Sequence, residues 1–331
     1  MKAHFLRLVA VIGFVCILQM SRALPSDQVK LRLPIEEGSK PRVSRASEWL
    51  VKHIVRGTLE NDSELGPLTL VAWHDPSLSP NDKNALAAYA ITDSLWASRS
   101  LSLQFPAHSE EIRKSLQRLN CLQNNLHEVL FQPVRTIHHR SDDDDIMHGC
   151  LIGTFRSGGK TISVRSFRMR FDADYNIGHP ALFAEHAVYQ SLFHYWNGNS
   201  ELAKDHLKSV FASAANPRPA IFWDRERAIL VDHVTADEHR RLTAKQATEC
   251  RQFTFKLALI VYAVRLMKLD VADESILRQM QDALWSAQVE SGGLSHFIVT
   301  NSDGKNIPCP DATAEATAIA ILSETIVPVP K

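Results

Sequence analysis

The sequence predicts an all-α fold: an α/α toroid of helical hairpins, with inner and outer rings of helices around one central cavity and a small β-hairpin insertion. Three observations predict it. Segments that are apolar nearly all round alternate with amphipathic ones, as inner and outer helices should. Stops such as Asn197-Gly198 separate them at hairpin spacing. Near the C-terminus, a helix carrying Trp285 and Gln288 breaks at Ser291-Gly292-Gly293 and makes a short extended excursion with a turn at Asn301-Ser302-Asp303-Gly304. It then gives way to a small-residue helix from Asp311 to Leu322.

The elements follow in order. Lys2 and Arg7 precede an apolar run from Leu8 to Met20, and Ser21-Arg22-Ala23 offers small residues for cleavage, so 1–23 reads as a signal peptide of a secreted protein. That run is too short to span a membrane comfortably, so no stable membrane insertion is expected. Residues 24–43 read as an extended leader and 44–331 as a single domain. A helix is expected from Ser44 through Trp49 and Leu50 to Arg56, closed by Gly57, and then a turn-rich stretch from Thr58 to Pro80. Asn81 or Asp82 would cap a helix through Leu86, Tyr89, Asp93 and Trp96 to Leu101, ended by Pro106. Another follows from Ile112 through Leu130 to Pro133.

At about 150–170, Cys150–Phe155 and Thr161–Phe167 flank Ser157-Gly158-Gly159-Lys160 and read as the inserted hairpin. An inner helix then runs from Pro180 to Trp196, with an amphipathic outer partner through Leu202, Leu207 and Phe211. After a loop with Phe222-Trp223-Asp224 come helices from Cys250 to Met267 and from Glu274 to Gln288, then the terminal helix.

Composition narrows the function. The 331 residues are 45% hydrophobic and balance 37 basic against 37 acidic side chains, which argues against a nucleic-acid partner. Removal of the leader removes Cys16 and leaves Cys121, Cys150, Cys250 and Cys309. An even count in an oxidising compartment suggests two disulfides, and sequence proximity favours Cys121 with Cys150 and Cys250 with Cys309. Asn61-Asp62-Ser63 is a glycosylation acceptor for a secreted glycoprotein. No cofactor is expected: Gly158-Gly159-Lys160-Thr161 lacks phosphate-loop spacing, and neither a G-x-S-x-G nor an H-E-x-x-H motif is found. Nor is a metal, since the Asp142–Asp145 run reads as a solvated loop.

The chemical signal is positional. Asp93 shares a stripe with Leu86, Tyr89 and Trp96, and Glu185 with Leu182, Tyr189 and Leu192. Lys256 aligns with Phe253, Ile260 and Met267, and Glu315 with Ala312, Ile319 and Leu322. Buried charge is costly, so these residues face a cavity or pair with one another. Glu315, Asp93 and Glu185 are the candidate catalytic carboxylates, acting as general acid and base. Lys256 would hold one of them ionised. Trp73 with Asp75, Trp223 with Asp224, and His296 are the further candidates for substrate binding, the tryptophans as stacking platforms and the aspartates as hydroxyl acceptors. The plain alternative for the charges is a structural ion network.

Three stretches carry a family resemblance: Thr92–Ser98, Thr254–Leu259, and Ser291-Gly292-Gly293 with Ala314–Ala318. They resemble secreted fungal and archaeal α/α-toroid proteins within the six-hairpin glycosidase-like superfamily, and the likeness extends over most of the chain from Ser44. It implies the toroid more strongly than the chemistry. The function expected first is a secreted carbohydrate-active protein, a glycoside hydrolase binding a carbohydrate or other small molecule in the cavity. A non-enzymatic glycan-binding or structural protein, or a terpenoid-cyclase-like or lyase enzyme, stand as alternatives. The oligomeric state is left open.

Overall fold

A helix with no polar face has to be surrounded by protein, and four such helices form the centre of this chain. The computed structural model describes residues 37–60, 63–72, 89–119, 150–157, 160–166, 184–196, 198–208, 221–268 and 274–325, and every structural statement concerns these residues. Residues 1–23, expected to be a signal peptide, and Trp73, Asp75, Asn61, Asp142–Asp145 and Cys121 lie outside them.

The central helices are α2 (Ile91–Leu101), α4 (Ala184–Trp196), α7 (Thr254–Met267) and α9 (Ala314–Thr325). They pack in the order α2, α9, α7, α4. Each carries an outer partner: α3 (Pro106–Arg118) on α2, α5 (Ser200–Lys208) on α4, α8 (Glu274–Ser286) on α7, and α1 (Lys40–Lys52) on α9. The partners are amphipathic. α1 buries Val43, Ala46, Trp49 and Leu50 while Lys40 and Glu48 stay exposed, and a side chain such as Leu50 contributes roughly 1.5–3 kcal/mol when fully buried. Pro106, expected to end a helix, instead starts α3, where its missing N–H costs nothing.

Twelve strands among the described residues overturn the all-α expectation: the fold is mixed α and β with several antiparallel sheets, not an all-α toroid. A five-stranded sheet is ordered β2-β1-β4-β5-β3, from β1 (Ile54–Leu59), β2 (Leu68–Val71), β3 (Tyr89–Ala90), β4 (Cys150–Ser157) and β5 (Lys160–Ser166). All its pairs are antiparallel except β3 with β5. The expected hairpin is β4–β5, with Ser157 opposite Lys160, but it is joined to β1 and β3 and is no isolated insertion. Gly57 is not a helix stop. It sits in β1, where a Cβ would come within 1.8 Å of the Arg156 carbonyl, so glycine permits the approach of β4.

The remaining strands are short: β6 (Phe222–Asp224) with β7 (Ile229–Val231), β9 (Leu294–Ser295) with β12 (Ala312–Thr313), and β8 (Glu249–Phe253) and β11 (Asn306–Pro308) flanking β10 (Phe297–Asn301). Runs of two to five residues have no period of their own, so helical periodicity on either side reads straight across them. Their placement matters more than their length. β3 leads directly into α2, β8 into α7 and β12 into α9, so paired strands fix where three central helices begin. The Leu294 N–H donates to Thr317 Oγ1, whose hydroxyl donates to the Thr313 carbonyl, which fastens β9 to the first turn of α9.

The same sheet corrects a disulfide. Cys250 lies on β8 and Cys309 just beyond β11, on opposite sides of β10, and both thiols are free. Two strand spacings, about 9.5 Å, exceed what a disulfide spans.

Candidate active site

Four charged side chains predicted on separate helices meet at one end of the central row. Asp93, Glu185 and Glu315 each occupy the first turn of their helix, and Lys256 is the third residue of α7. The site is therefore built from four helix N-termini, which bring partial positive charge to the carboxyls.

Lys256 is buried and reaches Glu185 at 2.9 Å and Asp232 at 2.6 Å. Its ammonium also lies 5.1 Å from the centroid of the Phe253 ring. Asp232, absent from the sequence-derived candidates, follows β7 and is 1% exposed. One of its oxygens accepts from the Val234 and Thr235 N–H groups, and the other accepts from Lys256 and from the Ala184 N–H that opens α4. A single carboxyl thus ties the start of α4, with Glu185, to α7. An Asp three residues before Thr235, the residue that precedes α6 (Ala236–Thr243), is a legible turn signal, but its pairing with Lys256 is purely tertiary.

Asp93 and Glu315 form a second pair. Burial, and then the charge of Glu315, push the Asp93 carboxyl well above its usual range. Burial, and then Glu185, push Glu315 up to about 7. Both desolvated carboxyls thus hold their protons more tightly than free acids. Tyr189, one turn beyond Glu185, completes the group: burial first, then Glu315, raises its phenol, with Glu185 and Asp93 adding to the effect. The Trp96 indole faces that phenol and opposes the rise, although its N–H makes no hydrogen bond of standard geometry. The Trp96 ring also meets Tyr262 edge-on at 5.5 Å.

Exposure is uneven. Asp93 is 2% exposed and Lys256 3%, whereas Glu185 and Glu315 keep partial exposure; every other residue of α9 is buried. Asp93 Oδ2, Trp96 Nε1 and Thr254 Oγ1 are buried without a hydrogen-bond partner. Among the described residues no group of three or more His, Cys, Asp or Glu is arranged to hold a metal, and no helix is long and apolar enough to cross a membrane.

No family model, curated protein or solved structure matches the chain. The resemblance drawn from short motifs thus gains no support from these comparisons, and the site stands on its own geometry.

Trp223, expected in a loop as a stacking platform, is instead in β6, 7% exposed, with its indole N–H donating to Gln279. Asp224 is committed elsewhere. Burial alone would raise its carboxyl, but bonds from His239 at 2.8 Å and from Arg227 outweigh that and bring it down to about 2. His296 packs among Phe253 and Phe297, its N–H bonded to Asp311 and its carbonyl to Thr254 at the start of α7. Of the expected binding residues in the described chain, only Lys256 is brought against the carboxyls by a described contact.

Glu324, also absent from the sequence-derived candidates, provides a contrast. Its buried carboxyl accepts from Arg42 at 2.9 Å, Trp285 at 2.6 Å, Gln281 at 2.5 Å and Arg265 at 3.4 Å. That is a structural charge with its acceptors filled.

Proposed function

We propose that the protein is a secreted glycoside hydrolase in which Glu315 is the general acid and Glu185 the general base. The observation that carries this reading is the Glu315 carboxyl, pushed up to about 7 by burial and then by Glu185, beside Glu185 itself, held 2.9 Å from Lys256. Protonated and charge-paired carboxyls set side by side are what glycosidic cleavage requires. Glu315 protonates the leaving oxygen as the bond from that oxygen to the anomeric carbon breaks. Glu185 takes a proton from the water whose oxygen bonds to that carbon, so one proton is lost and one gained across the site. Asp93, deeper and shielded, is a positioning residue whose carboxyl senses the charge of Glu315.

A structural ion network is disfavoured by comparison with Glu324. There the chain fills the acceptors of a buried carboxyl, whereas the candidate site leaves Asp93 Oδ2 without a donor and shares one ammonium between Glu185 and Asp232. Secretion is part of the proposal and rests on the leader at 1–23.

The test is a panel of glycans incubated with wild-type protein and with Glu315→Gln, scoring new reducing ends. Loss of the acid should cost about 10²–10⁴-fold. Activity unchanged by the substitution removes Glu315 from the role, and a panel with no cleavage by wild type sinks the reading.

A further inference from the structure

We propose that the side chains of Lys256 and Asp232 become joined by an amide bond that the folded chain forms on itself, with Glu185 carrying the proton. The reaction uses no ligand, so it goes beyond the hydrolase reading and does not depend on it.

Lys256 is the one buried lysine among the described residues, and its Nζ donates to Asp232 Oδ2 at 2.6 Å. The nucleophile is thereby held one bond from the carbon it attacks. Asp232 is 1% exposed and Lys256 3%, and the Phe253 ring lies 5.1 Å from Nζ, so the pair is kept from bulk water. Glu185 Oε2 stands 2.9 Å from the same nitrogen, where a carboxylate can take a proton from an amine and pass it on. The two oxygens of Asp232 are placed unequally. Oδ1 accepts from the Val234 and Thr235 N–H groups at 2.9 Å and 3.2 Å, a pair of backbone donors suited to an oxyanion. Oδ2, which faces the ammonium, is the oxygen left to depart.

The step balances within the chain. The ammonium passes one proton to Oδ2 along their hydrogen bond, which leaves a neutral amine and a carboxylic acid. The amine lone pair bonds to Cγ, and negative charge collects on Oδ1 at its two N–H donors. Glu185 takes a second proton from the nitrogen and delivers it to Oδ2, the Cγ–Oδ2 bond breaks, and one water leaves. The third proton stays on the amide nitrogen, nothing is oxidised or reduced, and Glu185 ends as it began. Two buried charges are exchanged for one neutral amide, so the desolvation that burdens the ion pair is relieved. Lys114 with Glu110, Lys204 with Glu201 and Lys208 with Asp205 are solvated surface pairs and have no such drive.

The experiment is mass spectrometry of the purified wild-type chain, unfolded in denaturant, beside Lys256→Arg and Glu185→Gln. Wild type should weigh one water less than its sequence requires, and Lys256→Arg, which keeps a cation but has no amine, should not. Trypsin should release Ala228–Arg240 joined to Gln252–Arg265, uncut at Lys256. Glu185→Gln, first shown to unfold cooperatively in urea, should form the bond about 10²–10⁴-fold more slowly and be recovered mostly unlinked. Free Gln252–Lys256 and Leu257–Arg265 from wild type, or a water lost equally from Lys256→Arg, overturns the inference, and full linkage in Glu185→Gln overturns the part given to Glu185. No readout here needs a substrate, so a failure to cleave glycans leaves the bond standing, and absence of the bond leaves the hydrolase standing.

Discussion

Replacement of Glu315 by glutamine should make the protein more stable in mild alkali and reduce its pH dependence in the neutral range. The carboxyl of Glu315 titrates at about 7 in the fold against an ordinary value of 4.5. Between those values the folded chain holds a proton that the unfolded chain has released, so stability falls as pH rises and the full cost is present above pH 7. At 1.36 kcal/mol per pH unit, the gap corresponds to about 3 kcal/mol. That figure is the share of Glu315; Asp93, raised first by burial and then by the charge of Glu315, adds its own. Glu315→Gln keeps the shape, abolishes the titration and relieves Asp93. Urea unfolding of wild type and variant at pH 4.5, 6, 7 and 8.5 is the assay. Across the series wild type should lose about 3 kcal/mol more than the variant, whose remaining slope reports the burial of Asp93. A variant that follows the wild-type slope, or that is less stable at pH 8.5, refutes the claim that this carboxyl is held protonated by burial and by its neighbours.

Other outcomes follow from the same contacts. Hydrolytic activity, once a substrate is found, should decline as pH rises through about 7, where Glu315 loses its proton; a rate rising steadily to pH 9 contradicts its role as acid. Glu324→Ala strands Arg42, Gln281 and Trp285 and should cost about 3–5 kcal/mol, read as a fall in midpoint of urea unfolding. Gly293→Ala drives a Cβ to 2.6 Å from the Trp49 ring and 2.7 Å from Ala312 Cβ, so a loss of about 1–3 kcal/mol is expected. Cys250, whose thiol is pushed up to about 12 by burial and by Glu238 and Asp224, should resist iodoacetamide at pH 8 until the chain unfolds. Mass spectrometry should find it unlinked to Cys309.

The carboxyls and Lys256 were legible because each interrupts an otherwise apolar stripe: a lone Glu in Ala314–Leu322 or a lone Lys in Thr254–Met267 has no surface to reach. The helices bearing them were legible for the same reason, and so was the β4–β5 hairpin, with its β-prone runs around Gly158-Gly159. The all-α reading failed where strands are short. Tyr89-Ala90 carries the same apolar character as the helix it enters, so the stripe through Leu86 and Tyr89 placed Asp93 deep inside a helix. In the fold, α2 starts at Ile91 and Asp93 is in its first turn. Asp232 and Glu324 went unseen because their significance depends on partners more than 20 residues away. Trp223 misled because an aromatic between turn residues reads as exposed until the strand that buries it is known.

The placement of the acids at helix starts explains how the site can exist at all. Each first turn offers unpaired N–H groups and the positive end of a helix dipole, worth about 0.3–1 kcal/mol to a nearby carboxylate and up to about 2 when partly buried. Lys256 stands in the same zone, where the dipole disfavours it, and is retained because Glu185 and Asp232 hold it at 2.9 Å and 2.6 Å. Were the dipoles dominant, Asp93 and Glu315 would ionise more easily than free carboxyls; both instead hold their protons more tightly. Burial and repulsion from neighbouring carboxylates therefore exceed the dipole contribution, and the roughly 3 kcal/mol derived for Glu315 is what remains after the helices have helped. Paired strands before α2, α7 and α9 keep those turns from relaxing apart. Methyl groups at the same positions would carry no such cost, so Asp93 and Glu315 are held in the core against the preference of a buried site for uncharged side chains.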